Sequence, residues 1–178
     1  TVASRCRFAG FLVGAEGFDA SCFFTSPAEA AAMDPQQRLL LERGYESLHS
    51  AHLDRGSLGG SLTGVFLGIA GSDFGYLLGA TPAGSSVYAA TGSSLSIACG
   101  RVSYVLGLHG HCASYDTACS AALTASHASL RALQLDECRD GVAAGIAMLL
   151  MPNSGITFAI AGLTSSSGRS HTFDIRAN

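Results

Sequence analysis

The segment that most constrains the fold is residues 112–151, which reads as a strand, a helix and a second strand. The strand HCASYDTA (111–118) is followed by a predicted helix from Cys119 to about Leu135, and one side of this helix carries Leu123, His127, Leu130 and Gln134. GVAAGIAMLLM (141–151) then predicts a buried strand. Two strands joined by a crossover helix run parallel, so the sequence predicts the α/β class.

Upstream residues supply further helices and one more strand. Ser26-Pro27-Ala28-Glu29 and Asp34-Pro35-Gln36-Gln37 are two successive helix starts with proline at the first helical position, and the second helix runs to about residue 50. SLTGVFLGIAG (61–71) predicts a strand, and SLSIACGRVSYVLGL (94–108) predicts a helix after a loop rich in Gly, Ser and Thr. Residues 153–178 are again rich in Gly, Ser and Thr, and we predict no domain boundary or repeat.

Composition excludes some classes of function. Hydrophobic residues make up 48% of the 178 and charged residues 13%, with a net charge of −3, so we expect no nucleic-acid partner. VAAGIAMLLM is too short to span a membrane, and no leader segment is recognisable. The six cysteines form no CxxC pair, which predicts neither a zinc site nor a disulfide scaffold and favours a reducing, cytoplasmic location.

Cys119 lies in the octet DTACSAAL (116–123), which has the pattern of a strand-to-helix corner. Unpaired backbone N–H groups at the first turn of a helix favour a thiolate over a thiol. The residues alone leave two interpretations open, a reactive nucleophile or a small buried core residue.

Five stretches together resemble a known family. They are FDASCFFTSPAEAAAMDPQQRLLLE (18–42), TGVFLGIAGSDF (63–74), TGSSLSIACGRVSYVLGLHG (91–110), DTACSAAL (116–123) and GRSHTFDIRAN (168–178). In this order they resemble the amino-terminal half of a β-ketoacyl synthase (ketosynthase) domain of a modular type I polyketide synthase. The resemblance implies a thiolase-like fold of two related α/β halves, with residues 1–178 as a partial domain that holds the first half plus insertions.

The resemblance also implies a chemistry for Cys119. It would accept an acyl chain as a thioester from the phosphopantetheine arm of an acyl carrier protein, with its own backbone N–H as the first oxyanion donor. A malonyl-type extender on a second carrier would then lose CO2 and attack that thioester. No cofactor or metal would bind directly. In the family the strand equivalent to residues 112–116 pairs with its own copy, which implies a homodimer.

Other catalytic groups of the family have no counterpart here. The family needs a His-Gly-Thr-Gly-Thr stretch and an Asn-x-Gly-His stretch preceded by a lysine; neither occurs, and the chain contains no lysine. We therefore assign Cys119 as the one catalytic residue and expect the 178-residue chain alone to be inactive. His111 occupies a position where the family usually has proline, and Ala121 and Ala122 occupy positions where many relatives have serine.

The remaining histidines and cysteines receive structural interpretations. His109 and His111 flank Gly110 as loop residues rather than metal ligands. We expect His127 in a core or groove, and His49, His52 and His171 at the surface. Cys99 and Cys112 are interpreted as inert core thiols, and Cys6, Cys22 and Cys138 carry no motif. Asp116 and Thr117 are expected to brace the corner.

The sequence leaves two functions of different classes open. The first is a condensing enzyme, and the second is a non-catalytic ketosynthase-like domain for dimerisation or carrier docking. The intact Cys119 favours the enzyme, and MDPQQRLLLE (33–42) favours the elongating type over a starter-unit synthase.

Overall fold

A three-stranded parallel sheet lies at the centre of the computed structural model, which describes residues 2–71 and 73–176. Its strands are β1 (Thr63–Ile69), β2 (Cys112–Tyr115) and β3 (Asp140–Ile146), in the spatial order β2-β1-β3. Val65 pairs with Cys112 on one side of β1, and the other side pairs with β3 from Thr63–Asp140 to Ile69–Ile146. The predicted α/β class and parallel strands are confirmed.

Helices precede and follow each strand. In chain order the described α-helices are α1 (Val2–Arg5), α2 (Pro27–Ala32), α3 (Pro35–Ser50), α4 (Arg55–Leu58), α5 (Asp73–Gly79), α6 (Ala89–Ser93), α7 (Leu95–Leu106), α8 (Ala121–Gln134) and α9 (Pro152–Ile160). Short 3-10 helices lie at Pro82–Ser85 and Ala118–Ser120.

Contacts group the chain into two compact units. One is Ala15–Met148, and the other combines the residues up to Gly14 with those from Leu149 onward. The first unit holds the sheet and α2 to α8, and the second holds α1 packed with α9. The assignment of residues 1–178 to a single partial domain stays a prediction.

The two faces of the sheet are covered by different helices. Val65, Leu67 and Ile69 point towards α3 and α7 and join a large core with Met33 and Leu41. Phe66 points the other way and packs with Ala125, Ala132 and Cys138 on the side of α8. Because both faces of β1 are covered, its seven residues are all buried and show no alternation of polar and apolar side chains.

Both predicted helix starts are confirmed by their caps. The Ser26 hydroxyl accepts a hydrogen bond from the Glu29 N–H, and Pro27 is the first residue of α2. The Asp34 carboxylate accepts from the Gln36 N–H at 2.8 Å at the start of α3. Asp34 is 2% exposed, and this burial raises the pKa of its carboxyl group.

A polar cluster joins α2, α3 and α7 next to these caps. The Arg101 guanidinium forms an ion pair with Glu29 and donates from Nε to Gln37 Oε1 at 2.8 Å. Gln37 Nε2 in turn donates to the carbonyls of Thr91 and Ser94. The cluster therefore ties the segment before α7 to the start of α3.

Several predicted boundaries were wrong. The strand predicted over 141–151 ends at Ile146, and Pro152 begins α9 in a region where no element was predicted. The loop rich in Gly, Ser and Thr contains α5, α6 and a 3-10 helix. The flanking strands are also less buried than predicted, because β2 and β3 lie at the two edges of the sheet and are half-exposed or exposed.

Candidate active site

Cys119 lies at the corner where β2 leads into α8. The strand ends at Tyr115, Cys119 is the middle residue of the 3-10 helix Ala118–Ser120, and α8 begins at Ala121. Cys119 is an exposed residue. The predicted strand-to-helix corner is thus confirmed, although Cys119 precedes the α-helix instead of being its first residue.

The backbone at this corner is strained next to the thiol. Ala118 has a φ of 51°, in the left-handed region that a side chain with a Cβ atom disfavours. Such a conformation costs on the order of 1–3 kcal/mol and persists only where surrounding contacts hold it. The Asp116 carboxylate supplies one of these contacts by accepting a hydrogen bond from the Ala118 N–H at 3.1 Å, in agreement with its predicted bracing role.

Three hydroxyl groups surround the same corner. The Ser120 hydroxyl donates to the Thr117 carbonyl at 2.8 Å and lies 3.0 Å from Thr117 Oγ1. Thr117 Oγ1 lies 3.0 Å from Thr124 Oγ1, and Thr124 donates to the Ser120 carbonyl at 3.1 Å. The bracing role predicted for Thr117 agrees with these contacts, but Thr124 was missed. Its signal was the spacing of three hydroxyl residues at i, i+3 and i+7, which places them on one side of a helix.

Two glycines of the sheet let α8 begin close to the strands. A Cβ atom added to Gly68 of β1 would lie 2.4 Å from the backbone of Ala121 and Ala122, and one on Gly145 of β3 would lie 2.5 Å from the Ala122 Cβ. Gly68 and Gly145 pair with each other across the sheet. The small side chains of Ala121 and Ala122 therefore fit a contact that leaves no room for an additional methyl group.

The buried face of α8 differs from the one predicted. Its buried residues are Ala121, Ala125, Ser129 and Ala132. Leu123 is 74% exposed and Leu130 is 53% exposed, so the side that carries Leu123, His127, Leu130 and Gln134 faces away from the sheet. The reason is the glycine-lined strand surface, which accepts alanine and serine at short range and has no space for leucine.

Comparison with known proteins identifies the family. Residues 2–178 match the family described as "Beta-ketoacyl synthase, N-terminal domain". The chain belongs to this family. It is 41% identical over 172 residues to a phenolphthiocerol/phthiocerol polyketide synthase polypeptide of Mycobacterium tuberculosis, covering 97% of this chain and 11% of that protein. It is 43% identical over 173 residues to the pikromycin polyketide synthase component PikAII of Streptomyces venezuelae, covering 97% of this chain and 5% of that one.

A solved structure extends the similarity to the fold. The ketosynthase from module 6 of the bacillaene synthase of Bacillus subtilis 168 superposes with a TM-score of 0.79 at 34% identity, over 90% of this chain and 26% of that chain. The thiolase-like fold is therefore confirmed. The chain spans only about a tenth of the length of the Mycobacterium tuberculosis polyketide synthase named above.

The other thiols of the chain differ in exposure. Cys99 and Cys138 are each 4% exposed, and burial raises the pKa of both thiols, which favours the thiol over the nucleophilic thiolate. The prediction of a core thiol is thus confirmed for Cys99. It was wrong for Cys112, which is exposed because it is the first residue of an edge strand.

The histidines do not join the corner. His111 stacks on Phe66 with ring centroids 5.6 Å apart, and the backbone N–H of His109 donates to the Ser61 carbonyl. His127 is exposed, so its predicted core or groove position was wrong; it lies on the outer side of α8. His49 and His52 are exposed as predicted, whereas His171 is half-buried.

No other site competes with the corner among the described residues. Within residues 2–71 and 73–176, no three His, Cys, Asp or Glu side chains converge in a way that could hold a metal ion. A cavity of about 1070 Å³ lies in the unit of the chain termini and is lined by residues 5, 7–11 and 162–172, none of which belongs to the corner. None of the helices in the described part of the chain is both long and apolar enough to cross a membrane.

Proposed function

We propose that the protein containing this chain is a ketosynthase that uses Cys119 as its nucleophile in polyketide biosynthesis. The Cys119 thiolate attacks the thioester of an acyl chain on the phosphopantetheine arm of an acyl carrier protein, and the carrier thiol leaves. A malonyl-type extender on a second carrier loses CO2, and the resulting carbanion attacks the Cys119 thioester. A carbon-carbon bond forms, the Cys119 thiol is released, and the product stays on the carrier.

The observation that carries this proposal is an exposed thiol at a strained corner between a strand and a helix. A nucleophile needs access to substrate, which Cys119 has and the buried Cys99 and Cys138 lack. It also needs a nearby donor for the oxyanion, and the backbone N–H of Cys119 in the short 3-10 helix is the group we assign to that role. The membership of the ketosynthase family supports both assignments.

The proposed partners are carrier proteins and a second copy of the chain. Strand β2 is an edge strand, since the order β2-β1-β3 pairs it only with β1 in the described sheet. An unpaired strand edge is a surface on which another strand can pair. We therefore propose an isologous homodimer that includes residues near 112–116.

The proposal is tested by labelling of the complete protein that carries this chain. A short acyl thioester of N-acetylcysteamine mimics the end of the phosphopantetheine arm, and mass spectrometry of the digested protein locates the added acyl group. We expect acylation of the peptide that contains Cys119 and its loss in Cys119→Ala. Cys112→Ser and Cys22→Ala, which remove other exposed thiols, serve as matched controls and should keep the label.

The second candidate is a non-catalytic domain for dimerisation or carrier docking. The open edge of β2 is compatible with this candidate, because pairing of two copies at this edge does not require a reactive thiol. A protein that dimerises and binds a carrier but is not acylated at Cys119 would identify this second function. Acylation of the Cys119→Ala variant at the rate of the original protein would refute the assignment of Cys119 as the nucleophile.

A further inference from the structure

The hydroxyl groups around Cys119 form a closed ring of hydrogen bonds with one consistent direction. The Thr124 proton is donated to the Ser120 carbonyl, so Thr124 Oγ1 must accept in its 3.0 Å contact with Thr117 Oγ1. Thr117 is then the donor to Thr124, and it accepts from the Ser120 hydroxyl at 3.0 Å. The ring thus runs from the Ser120 hydroxyl through Thr117 and Thr124 to the Ser120 carbonyl, and the single Ser120 proton is shared between the Thr117 carbonyl at 2.8 Å and Thr117 Oγ1 at 3.0 Å.

This ring joins residues on both sides of the residue that carries the thiol. Thr117 and Ser120 lie on either side of Ala118 and Cys119, and Thr124 lies one turn into α8. Thr124 is therefore the member that ties the two ends of the corner to the rigid helix. Without it, the Ser120 hydroxyl still binds the Thr117 carbonyl, but the bond from Thr117 to α8 is lost.

The strained Ala118 shows why such a tie matters. A φ of 51° at an alanine relaxes unless neighbouring contacts hold it. Rotation of the peptide between Ala118 and Cys119 would turn the Cys119 N–H, the group assigned to the oxyanion. A contact that fixes both ends of the corner therefore fixes the direction of this N–H relative to the thiol.

We propose that Thr124 is a positioning residue for Cys119, through the hydrogen bond from Thr117 to its hydroxyl. This inference rests on the proposed function of Cys119 as the acylated nucleophile. Thr124 does not touch substrate in this role. It keeps the thiol and the Cys119 N–H in the relative orientation that acyl transfer requires, and acyl transfer is sensitive to misplacements of about 1 Å.

A neighbouring serine supplies a matched control. The Ser126 hydroxyl donates to the Ala122 carbonyl at 2.9 Å, the same i−4 contact that Thr124 makes with Ser120. Ser126 is exposed, and its hydroxyl is not in the ring. Comparing the two positions separates the bond to Thr117 from an ordinary contact between a helix hydroxyl and its backbone.

The experiment compares two reactions of Cys119 in the complete protein. Alkylation by iodoacetamide needs only a reachable thiolate, whereas acylation by the N-acetylcysteamine thioester also needs an aligned oxyanion donor. In Thr124→Val we expect acylation to fall about tenfold, the upper range for one hydrogen bond, while alkylation changes by less than about twofold. Thr124→Ser should restore acylation to within about twofold of the original rate, and Ser126→Ala should leave both rates unchanged.

Three results would overturn the inference. They are an unchanged acylation rate in Thr124→Val, an equal loss of acylation and alkylation, and a Thr124→Ser variant as slow as Thr124→Val. If Thr124→Val does not fold, Thr124→Ala and Thr124→Ser form a pair that differs by one oxygen atom, and equal acylation by these two also rejects the role. Absence of acylation at Cys119 in the original protein is a separate result, because it refutes the proposed function before Thr124 is tested.

Discussion

Replacement of Gly68 by alanine tests whether the approach of α8 to the sheet sets the position of the nucleophile corner. The added Cβ would lie 2.4 Å from the Ala121 carbonyl carbon and from the Ala122 nitrogen, where ordinary contact is 3.4–4 Å. Both atoms belong to backbone at the start of α8, so no side chain can rotate away. The helix start must therefore move by about 1 Å, and Cys119 lies two residues before it.

The expected loss has a stability part and a rate part. Overpacking by one methyl group in a close contact costs about 1–3 kcal/mol, and for a domain of this size 1 kcal/mol corresponds to a shift in Tm of about 2–4 °C. A displacement of about 1 Å at a reacting group costs up to about a hundredfold in rate. We therefore expect Gly68→Ala to lower the acylation rate of Cys119 by about tenfold to a hundredfold with a folded but less stable protein.

The assay uses the complete protein and follows acylation by mass spectrometry and unfolding by calorimetry. Gly100→Ala is the matched control, because it adds the same methyl group in α7 where no atom lies within 4 Å. Alanine is the better helix former by up to about 1 kcal/mol, so this control should keep its rate and be at least as stable. Gly145→Ala, which meets the Ala122 Cβ at 2.5 Å, should resemble Gly68→Ala. An acylation rate and Tm for Gly68→Ala equal to those of Gly100→Ala would show that the reasoning is wrong.

Two further predictions concern pH dependence and assembly. Burial raises the pKa of the Asp34 carboxyl group, so ionisation of this group lowers the stability of the folded protein as the pH rises from the ordinary value of 3.8 through the raised folded value. Asp34→Asn keeps an acceptor for the Gln36 N–H and should be at least as stable as the original protein at pH 7. Denaturant titrations at several pH values should show that the variant loses this pH dependence. A steeper decline of stability with pH in Asp34→Asn would contradict the sign. We also predict that the complete protein sediments as a homodimer, whereas the 178-residue chain alone, with Leu123 and Leu130 exposed, aggregates. A stable monomer that still acylates Cys119, or a soluble fragment with cooperative unfolding, would refute the corresponding part.

Helix starts could be predicted because their signals are local. Ser26 and Asp34 each precede a proline and accept a bond from an N–H two or three residues later, so four neighbouring residues contain the whole interaction. The same holds for the corner at Cys119, whose Asp116 brace lies three residues away. The family resemblance then added the chemistry of Cys119, which the local pattern alone left open between a nucleophile and a core residue.

The ends of strands and the position of a strand at the edge of the sheet could not be predicted from the sequence. The apolar run from residue 141 to 151 has no local break before Pro152, yet β3 ends at Ile146, where its partner β1 ends at Ile69. The length of a strand is set by the neighbour it pairs with, and that neighbour lies some 77 residues earlier in the register. Cys112 was misplaced for a related reason, since its residue type and neighbours do not reveal that β2 lies at an edge.

The orientation of α8 shows how a correct periodicity can still give the wrong face. The spacing of Leu123 and Leu130 correctly indicates one apolar side of a helix, but a helix has a second side of alanine and serine that is equally regular. Gly68, Gly145 and the surface between them accept only small side chains, so contact with the sheet selects the alanine side. The side of α8 that carries the leucines stays exposed. A helix with two apolar sides usually packs between two layers of structure, and the described residues supply only the layer formed by the sheet. Cys119 therefore lies two residues before a helix whose start is set against the sheet by the close contact at Gly68, and no local sequence pattern predicts that contact.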